Sequence, residues 1–181
     1  MKRVLITGGD GFIGKHLTEY LLQKDIDVYA VIYPGHNIYD GRMDENLHVI
    51  EMNLLETIGS VSQFSDNIEV MYLFAWMGVR PELREDLDVQ LNNISLTVNS
   101  LKLASALGIK RVIFPGSTNE YLYYGKPLNG DAIPSPNNAY GSVKISLRYI
   151  CSDYAIKHGI EFVYTIIAGI YAQDRRDSNV I

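Results

Sequence analysis

The chain has 181 residues, of which 47% are hydrophobic and 20% are charged, and its formal net charge is −5. These values are typical of one globular domain with a full hydrophobic core. The mixing of acidic with basic residues argues against a nucleic-acid-binding surface. Cys151 is the single cysteine and the four histidines lack the spacing of metal ligands, so we expect no disulfide framework and no metal site.

The N-terminal segment lacks the long apolar core and the cleavage site of a signal peptide. No apolar run approaches the roughly 20 residues that span a bilayer. The sequence therefore predicts a cytoplasmic protein without a membrane partner.

Six apolar runs predict β-strands at residues 3–7, 27–32, 48–52, 69–75, 111–115 and 161–167. Amphipathic stretches predict α-helices at residues 12–23, 86–107 and 140–157, and residues 121–138 are rich in loop-forming types. The strands are continuously apolar instead of alternating, which favours burial on both faces of a parallel sheet covered by helices. The sequence predicts an α/β fold with a doubly wound parallel sheet.

The segment TGGDGFIG joins the first predicted strand to the first predicted helix. Its Gly8, Gly11 and Gly14 have the spacing G-x-x-G-x-x-G. Such glycines permit a tight turn and close approach of a pyrophosphate, which the N–H groups at a helix N-terminus then bind. The alternative is a tight turn without a ligand. We favour dinucleotide binding, so the sequence predicts an NAD(P)-binding Rossmann domain over residues 1–170.

The dinucleotide fingerprint also expects an acidic residue about 20 positions further on, which binds the ribose hydroxyls. The second predicted strand instead ends at Ile32, and Tyr33 follows. An apolar residue neither binds a 2′-hydroxyl nor repels a 2′-phosphate. The cofactor is therefore left as NAD or NADP, with a slight lean to NADP. His36 and Arg42 follow in the loop, but the sequence does not give their reach.

Tyr140 and Lys144 lie four residues apart in AYGSVK, where the third predicted helix begins. This spacing places them one helical turn apart on the same face. A free phenol has a pKa of about 10 and is a poor base at neutral pH. A nearby ammonium favours the phenolate, so we expect Lys144 to lower the pKa of Tyr140. The alternative is a pair on a solvated helix face.

Five pieces, in order along nearly the whole chain, resemble one family: TGGDGFIG, LFAWMG, Asn93, GIKRVIFPGSTNEY and AYGSVK. The chain is similar to extended short-chain dehydrogenases/reductases of the NAD-dependent epimerase/dehydratase kind, which act on nucleotide sugars. The resemblance implies that Tyr140 is the acid/base for a sugar hydroxyl or keto oxygen, and that Lys144 also holds the nicotinamide ribose. The implied cofactor-binding residues are Gly8, Gly11, Phe12, Ile13, Gly14, Tyr33, Asn53, Leu54, Phe74, Ala75, Trp76, Asn93, Tyr140, Lys144, Ala168 and Ile170.

The resemblance also implies a catalytic hydroxyl after the fifth predicted strand, in one of two registers. Ser117 takes this role if Glu120 and Tyr121 match the family's Glu-Tyr-Gly ending, although Leu122 stands in place of the glycine. Thr118 takes it if STNE matches the Ser-Thr-Asp-Glu of sugar dehydratases. Asn119 then replaces the aspartate, and an amide cannot serve as a general acid. We therefore favour epimerisation or 4-keto reduction over dehydration.

Two roles carry structural alternatives, since Trp76 suits core packing as well as ligand contact and Asn93 suits a polar helix face. Residues 171–181 resemble the start of the family's substrate-binding region, so we expect this chain to bind cofactor but to turn over nucleotide sugar poorly. The expected partners are a nucleotide-sugar substrate and a second copy paired through the two long predicted helices. The chief rival function is a non-catalytic NAD(P)-binding module, and a second rival is a reductase that acts on non-nucleotide carbonyls.

Overall fold

A computed structural model describes residues 2–56, 61–64, 67–122 and 127–172. The β-strands of these residues are β1 (Arg3–Thr7), β2 (Asp27–Ile32), β3 (Leu47–Glu51), β4 (Val70–Leu73), β5 (Arg111–Ser117) and β6 (Glu161–Ile167). The α-helices are α1 (Phe12–Leu22), α2 (Leu87–Ala106) and α3 (Ala139–His158). Short 3₁₀ helices cover Pro81–Leu83 and Thr118–Tyr121.

All six strands are parallel and form one sheet in the order β3-β2-β1-β4-β5-β6. This order confirms the predicted doubly wound sheet. The chain runs outward from β1 to β3 and returns to β4 on the other side of β1. The reversal opens a crevice at the C-terminal ends of β1 and β4, which is where sheets of this kind bind ligands.

The two long helices begin and end where the sequence provides caps. Asp86 caps α2 by accepting a hydrogen bond from the N–H of Val89. Asn138 caps α3 in the same way through the N–H of Gly141, and Gly159 ends α3 in the left-handed conformation with φ 63°. Side-chain caps of this kind satisfy N–H groups that a helix leaves unpaired. They fix the start of α3, which carries Tyr140 and Lys144.

The core lies mainly between the sheet and the helices α2 and α3. Its members include Leu5 and Met71 from the central strands, Leu103 from α2, and Phe114 and Leu147 from β5 and α3. Each of these five side chains is at most 1% exposed. This packing holds β5 and α3 against each other, and with them the residues at the C-terminal end of β5.

Three predicted features differ in the structure. The strand β5 runs two residues past its predicted end, to Ser117. The predicted strand at residues 69–75 ends at Leu73, because β1 stops at Thr7 and the Thr7 hydroxyl accepts a hydrogen bond from the N–H of Ala75. The prediction that strands are buried on both faces is wrong for β6. That strand is at the sheet edge, and Thr165 and Ile166 are exposed. Residues 173–181, which hold most of the predicted second region, lie outside the described residues.

Candidate functional site

The glycine loop, residues 8–14, connects β1 to α1 with little room for side chains. Gly8 has φ 67°, and a Cβ there would lie 2.7 Å from the N of Ala75. A Cβ on Gly14 would lie 2.0 Å from the carbonyl oxygen of Gly8. Only glycine fits both positions without a backbone shift. These contacts hold the loop against the residues that follow β4.

The glycine loop fits the pyrophosphate of a dinucleotide. Gly11 is the N-cap of α1 and, within the described residues, no side chain caps this helix end. Phe12, Ile13 and Gly14 form the first turn of the helix, which lies at the crevice with the positive end of the helix dipole. A backbone cradle of this kind is the donor set that an anionic diphosphate requires.

A second feature of this half of the site is Tyr39, which the sequence analysis missed. Its side chain is only 6% exposed, and its hydroxyl donates a 2.7 Å hydrogen bond to the carbonyl oxygen of Gly9. Burial raises the pKa of Tyr39, so it remains a neutral donor. This hydrogen bond connects the loop between β2 and β3 to the glycine loop.

The edge beyond β2 contains the residues that decide between the two cofactors. Ile32 is buried and Tyr33 is half-exposed, with its ring against that of His36. Arg42, the arginine available for a 2′-phosphate, forms ion pairs with Glu19 and Asp44. The structure thus gives this guanidinium other partners, so the lean to NADP, which rested on the apolar Ile32, gains no phosphate ligand from Arg42.

Asn53 and Leu54 follow β3, and their side chains have different surroundings. Leu54 is 5% exposed and belongs to the main core cluster, so its side chain packs inside the fold. Asn53 accepts a hydrogen bond from the N–H of Leu55 and donates one to Glu56. Asn53 therefore shapes the turn after β3, and its role beside an adenine stays a prediction.

The residues after β4 cross the crevice and are fixed by α2. Asn93 is fully buried, and its amide accepts a 2.7 Å hydrogen bond from the N–H of Met77 and donates a 3.0 Å bond to the carbonyl of the same residue. Gln90, which the sequence analysis missed, is also fully buried and accepts a bond from the indole N–H of Trp76. Asn93 therefore belongs to a buried polar face of α2, and its role toward a cofactor stays a prediction.

The hydroxyl at the end of β5 that meets Tyr140 is that of Ser117. The side chain of Ser117 lies close enough to the Tyr140 phenol to lower its pKa. The Ser117 hydroxyl also caps the 3₁₀ helix that starts at Thr118, by accepting a bond from the N–H of Asn119. The geometry thus favours the register in which Ser117, not Thr118, faces the phenol.

Glu120 supports this turn from beneath, and its burial was not foreseen from the sequence. The carboxyl is fully buried, and one oxygen accepts hydrogen bonds from the N–H of Ser117 at 2.6 Å and the hydroxyl of Tyr164 at 2.8 Å. Its second oxygen has no hydrogen-bond partner within the described part of the chain. Desolvation by burial raises the pKa of Glu120. Glu120 therefore holds Ser117 in place through the backbone.

Lys144 is buried beneath Tyr140 in an aromatic pocket. Its Nζ donates a 2.9 Å hydrogen bond to the carbonyl of Pro115, and it lies 3.6 Å from the ring centre of Trp76 and 4.5 Å from that of Phe114. Desolvation lowers the pKa of Lys144 to about 7, against the opposing influence of Glu120. Lys144 is consequently only partly protonated at neutral pH.

The electrostatics of Tyr140 differ from the sequence-based expectation. Burial raises the pKa of Tyr140, while the nearby Ser117 side chain and the charge of Arg84 lower it. Lys144 lies on the same side but 5.8 Å from the phenol ring, and it is not among the groups that lower this pKa. Lys144 therefore does not lower the pKa of Tyr140 as expected, because the lysine is itself desolvated and loses its proton at a lower pH.

Ala168 and Ile170 follow β6, at the C-terminal ends of the strands. The register pairs Ile167, the last residue of β6, with Ser117. Ala168 is exposed and Ile170 is half-buried. The chain after β6 thus borders the cluster formed by Ser117, Tyr140 and Lys144, which we call the Tyr–Lys cluster. The glycine loop reaches the same cluster through Ala75 and Trp76, whose ring contacts Tyr140 edge-on at 5.4 Å.

Within the described ranges, no group of three or more His, Cys, Asp or Glu side chains is placed to hold a metal ion. None of the helices that the structure describes has the length and apolar character needed to cross a membrane.

The chain was also compared with known proteins. The model of the NAD dependent epimerase/dehydratase family matches residues 4–181. The UDP-N-acetyl-alpha-D-glucosaminuronate decarboxylase of Bacillus cytotoxicus is 28% identical over 184 aligned positions, which cover 97% of this chain and 57% of that protein.

Solved structures resemble the fold closely. The UDP-N-acetylglucosamine 4-epimerase of Methanobrevibacter ruminantium, in complex with UDP-N-acetylmuramic acid, superposes with a TM-score of 0.82 at 22% identity, covering 99% of this chain and 59% of that one. The UDP-glucuronic acid 4-epimerase of Bacillus cereus, in complex with NAD, gives 0.76 at 24% identity, covering 93% and 57%. At these identities the likeness shows the fold alone. The chain spans little more than half the length of these relatives.

Proposed function

Because the chain belongs to the NAD-dependent epimerase/dehydratase family, we propose that it binds a nicotinamide dinucleotide across the C-terminal ends of its strands and transfers hydride to and from a nucleotide sugar. One observation carries the proposal. Ser117, Tyr140 and Lys144 converge at the end of β5, on the sheet edge that also holds the uncapped glycine loop. We assign residues 1–170 to the dinucleotide-binding domain.

The bound dinucleotide supplies a carbon that accepts or donates the hydride, and the chain's own residues do the rest. In the reduction direction Tyr140 gives its phenol proton to the keto oxygen, which suits the raised pKa of the phenol. The phenolate that remains takes the proton of the sugar hydroxyl in the oxidation direction. Ser117, whose side chain lies near the phenol, hydrogen-bonds the same oxygen of the sugar. Lys144 is one turn away on α3 and orients the ribose next to the phenol.

We propose epimerisation or 4-keto reduction in preference to dehydration. A dehydratase needs a general acid beside the catalytic hydroxyl, and this chain has Asn119 there. The Asn119 amide donates to the Ser117 hydroxyl at 3.2 Å and accepts from Asn138 at 3.1 Å. The nitrogen and the oxygen of the Asn119 amide thus both form hydrogen bonds within the protein, and the amide cannot act as a general acid at neutral pH.

A second candidate function is dinucleotide binding without turnover, and the position of Trp76 favours it. The indole stacks on the Nζ of Lys144 and contacts Tyr140, while its own N–H is bound to Gln90. For Lys144 to meet a ribose, this ring has to move aside. A chain in which the ring stays fixed would bind the diphosphate end of the cofactor and leave the Tyr–Lys cluster covered.

The experiment that separates the two candidates measures binding and turnover on the same protein. Binding is followed by titrating NAD and NADP, and turnover by a panel of uridine, thymidine and guanosine diphosphate sugars. The proposed enzyme shows turnover that Tyr140→Phe reduces by about 10²- to 10⁴-fold, the range for losing a general acid/base, while nucleotide affinity is retained. Binding without turnover selects the second candidate, and absence of binding contradicts both.

We also propose that the chain forms a homodimer through α2 and α3. The support is the exposure of large apolar side chains on both helices, among them Leu91 on α2 and Tyr149 and Ile156 on α3. Sedimentation equilibrium tests this proposal, and a monomer over the whole concentration range would contradict it.

A further inference from the structure

A carboxylate lies beside the C-terminal end of β2, although the spacing of residues in the dinucleotide fingerprint does not predict it. The strands β2 and β3 are parallel, and their last residues, Ile32 and Glu51, are partners in the register. Neighbouring strands lie about 4.8 Å apart. Glu51 therefore starts one strand-width from the position where the dinucleotide fingerprint expects its acidic residue.

The side chain of Glu51 crosses that distance. Its Oε2 accepts a 3.0 Å hydrogen bond from the N–H of Gly35, which lies three residues beyond the end of β2. The carboxylate is thus held at the turn that follows β2, although its backbone belongs to β3. Glu51 is exposed, and its Oε1 makes no hydrogen bond to any other described residue. A fixed carboxylate with one unused oxygen is a ready acceptor for hydroxyl groups.

We propose that Glu51 supplies the ribose-binding carboxylate of this domain, accepting hydrogen bonds from the 2′- and 3′-hydroxyls of the adenine ribose, and that it thereby selects NAD over NADP. This inference rests on the proposed function, since it requires that a dinucleotide lies along the glycine loop. In this proposal the acid lies at the end of β3 instead of the end of β2, and its carboxylate is bound at the turn that follows β2.

The neighbouring charges support the same selection. A 2′-phosphate would bring two negative charges against the Glu51 carboxylate, where like charges repel. Arg42, which could compensate, is paired with Glu19 and Asp44. Ile32 is buried and makes no polar contribution. The local charge on this side of the crevice therefore discriminates against the phosphorylated ribose.

Glu51→Gln is the discriminating variant. A glutamine keeps an oxygen that can accept from the N–H of Gly35, so the turn is preserved, while the negative charge is lost. Glu45→Gln is the matched control, because Glu45 is an exposed acid in the loop between β2 and β3. The dissociation constants of NAD and NADP are measured by calorimetry for the wild type and both variants, with thermal unfolding to check the fold.

We expect the wild type to bind NAD at least about tenfold more tightly than NADP, in line with a charged hydrogen bond. Glu51→Gln should weaken NAD and strengthen NADP, so that their ratio falls by about tenfold, and Glu45→Gln should leave the ratio unchanged. If both nucleotides bind but Glu51→Gln keeps the wild-type ratio, the inference is wrong and the proposed function stands. If neither binds the wild type, the proposed function fails and Glu51 loses this role with it.

Discussion

The glycine loop and the Tyr–Lys cluster share one edge of the sheet, yet they depend on different physical means. The glycine loop is shaped mainly by its backbone, through the absence of Cβ atoms at Gly8 and Gly14 and, among the described residues, a helix end without a side-chain cap, while the Tyr39 hydroxyl binds Gly9. The Tyr–Lys cluster is shaped by side chains that are themselves held by buried polar groups, namely Gln90, Asn93 and Glu120. The first half is therefore open to a ligand as folded, whereas the second is closely packed under Trp76.

This difference implies that the two halves respond differently to substitution. In the glycine loop, substitutions should destabilise the chain by crowding the backbone. Around the Tyr–Lys cluster, they should destabilise it by removing buried hydrogen bonds. The substitutions below test that division, beginning with the largest expected change in the free energy of unfolding.

Gly14→Ala should have the largest effect. The added methyl would lie 2.0 Å from the carbonyl oxygen of Gly8, which is backbone and cannot rotate away. We expect the free energy of unfolding to fall by about 3 kcal/mol, the upper part of the range for overpacking, together with loss of dinucleotide binding. Urea unfolding and nucleotide titration check both. In Gly130→Ala the methyl meets no heavy atom within 4 Å, so equal losses in the two variants would contradict the packing argument.

Asn93→Ala should destabilise the segment after β4. It removes the amide that satisfies both the N–H and the carbonyl of Met77, and leaving buried polar groups unpaired costs about 2 kcal/mol. Urea unfolding measures the loss, and a shift in Trp76 emission reports the loosened segment. Asn92→Ala is the control on the same helix, because Asn92 is exposed. Asn92→Ala should not destabilise the chain, because alanine has the higher helix propensity. A stability loss as large for Asn92 would contradict the assignment of the loss to the buried amide.

Lys144 should make stability depend on pH. Its pKa is lowered to about 7 in the folded chain, whereas an unfolded lysine stays protonated until about pH 10.4. Between these values the unfolded state binds more protons, so stability rises with pH, by up to about 1.4 kcal/mol per unit. The clean window is pH 7 to 9, because the raised pKa of the Cys151 thiol opposes the trend above 9.

Unfolding by urea across that window measures the slope for the wild type and two variants. Lys144→Met should flatten it, and Lys102→Met, at an exposed lysine of α2, should keep it. A slope that survives in Lys144→Met would mean that another group titrates there.

Arg42→Ala should have the smallest effect. Its ion pairs with Glu19 and Asp44 are partly exposed, and pairs of this kind contribute less than about 1 kcal/mol. Because we do not assign Arg42 to the cofactor, the affinities of both NAD and NADP should stay within about twofold of the wild type. A selective loss of NADP affinity would restore the arginine as a phosphate ligand.

Periodicity and apolar runs were sufficient for the fold, since strands and helices in a doubly wound sheet are long enough to have clear patterns. The exposure of β6 was not predictable, because an apolar strand at the edge reads the same as one in the centre. The positions of Tyr140, Lys144 and Asn93 were predictable from motif spacing. The pKa directions were not, since the burial of Lys144 under Trp76 depends on packing between distant segments.

Residues that act across strands were also missed. Glu51 is 19 positions from Ile32 in the sequence but beside it in the sheet. Glu120 looked like part of a loop motif, and its burial against Tyr164 requires the register between β5 and β6. A carboxyl at a strand end, read together with strand order, is the signal that could have indicated Glu51 earlier.

The central claim is that the glycine loop and the Tyr–Lys cluster bind the two ends of one dinucleotide. Trp76 is the single tryptophan of the chain and contacts both Tyr140 and Lys144, so its fluorescence reports directly on the nicotinamide end. Titration with NADH should quench Trp76 emission saturably and transfer energy to the reduced nicotinamide. Binding of NADH, seen by calorimetry, that leaves Trp76 emission unchanged would contradict the claim.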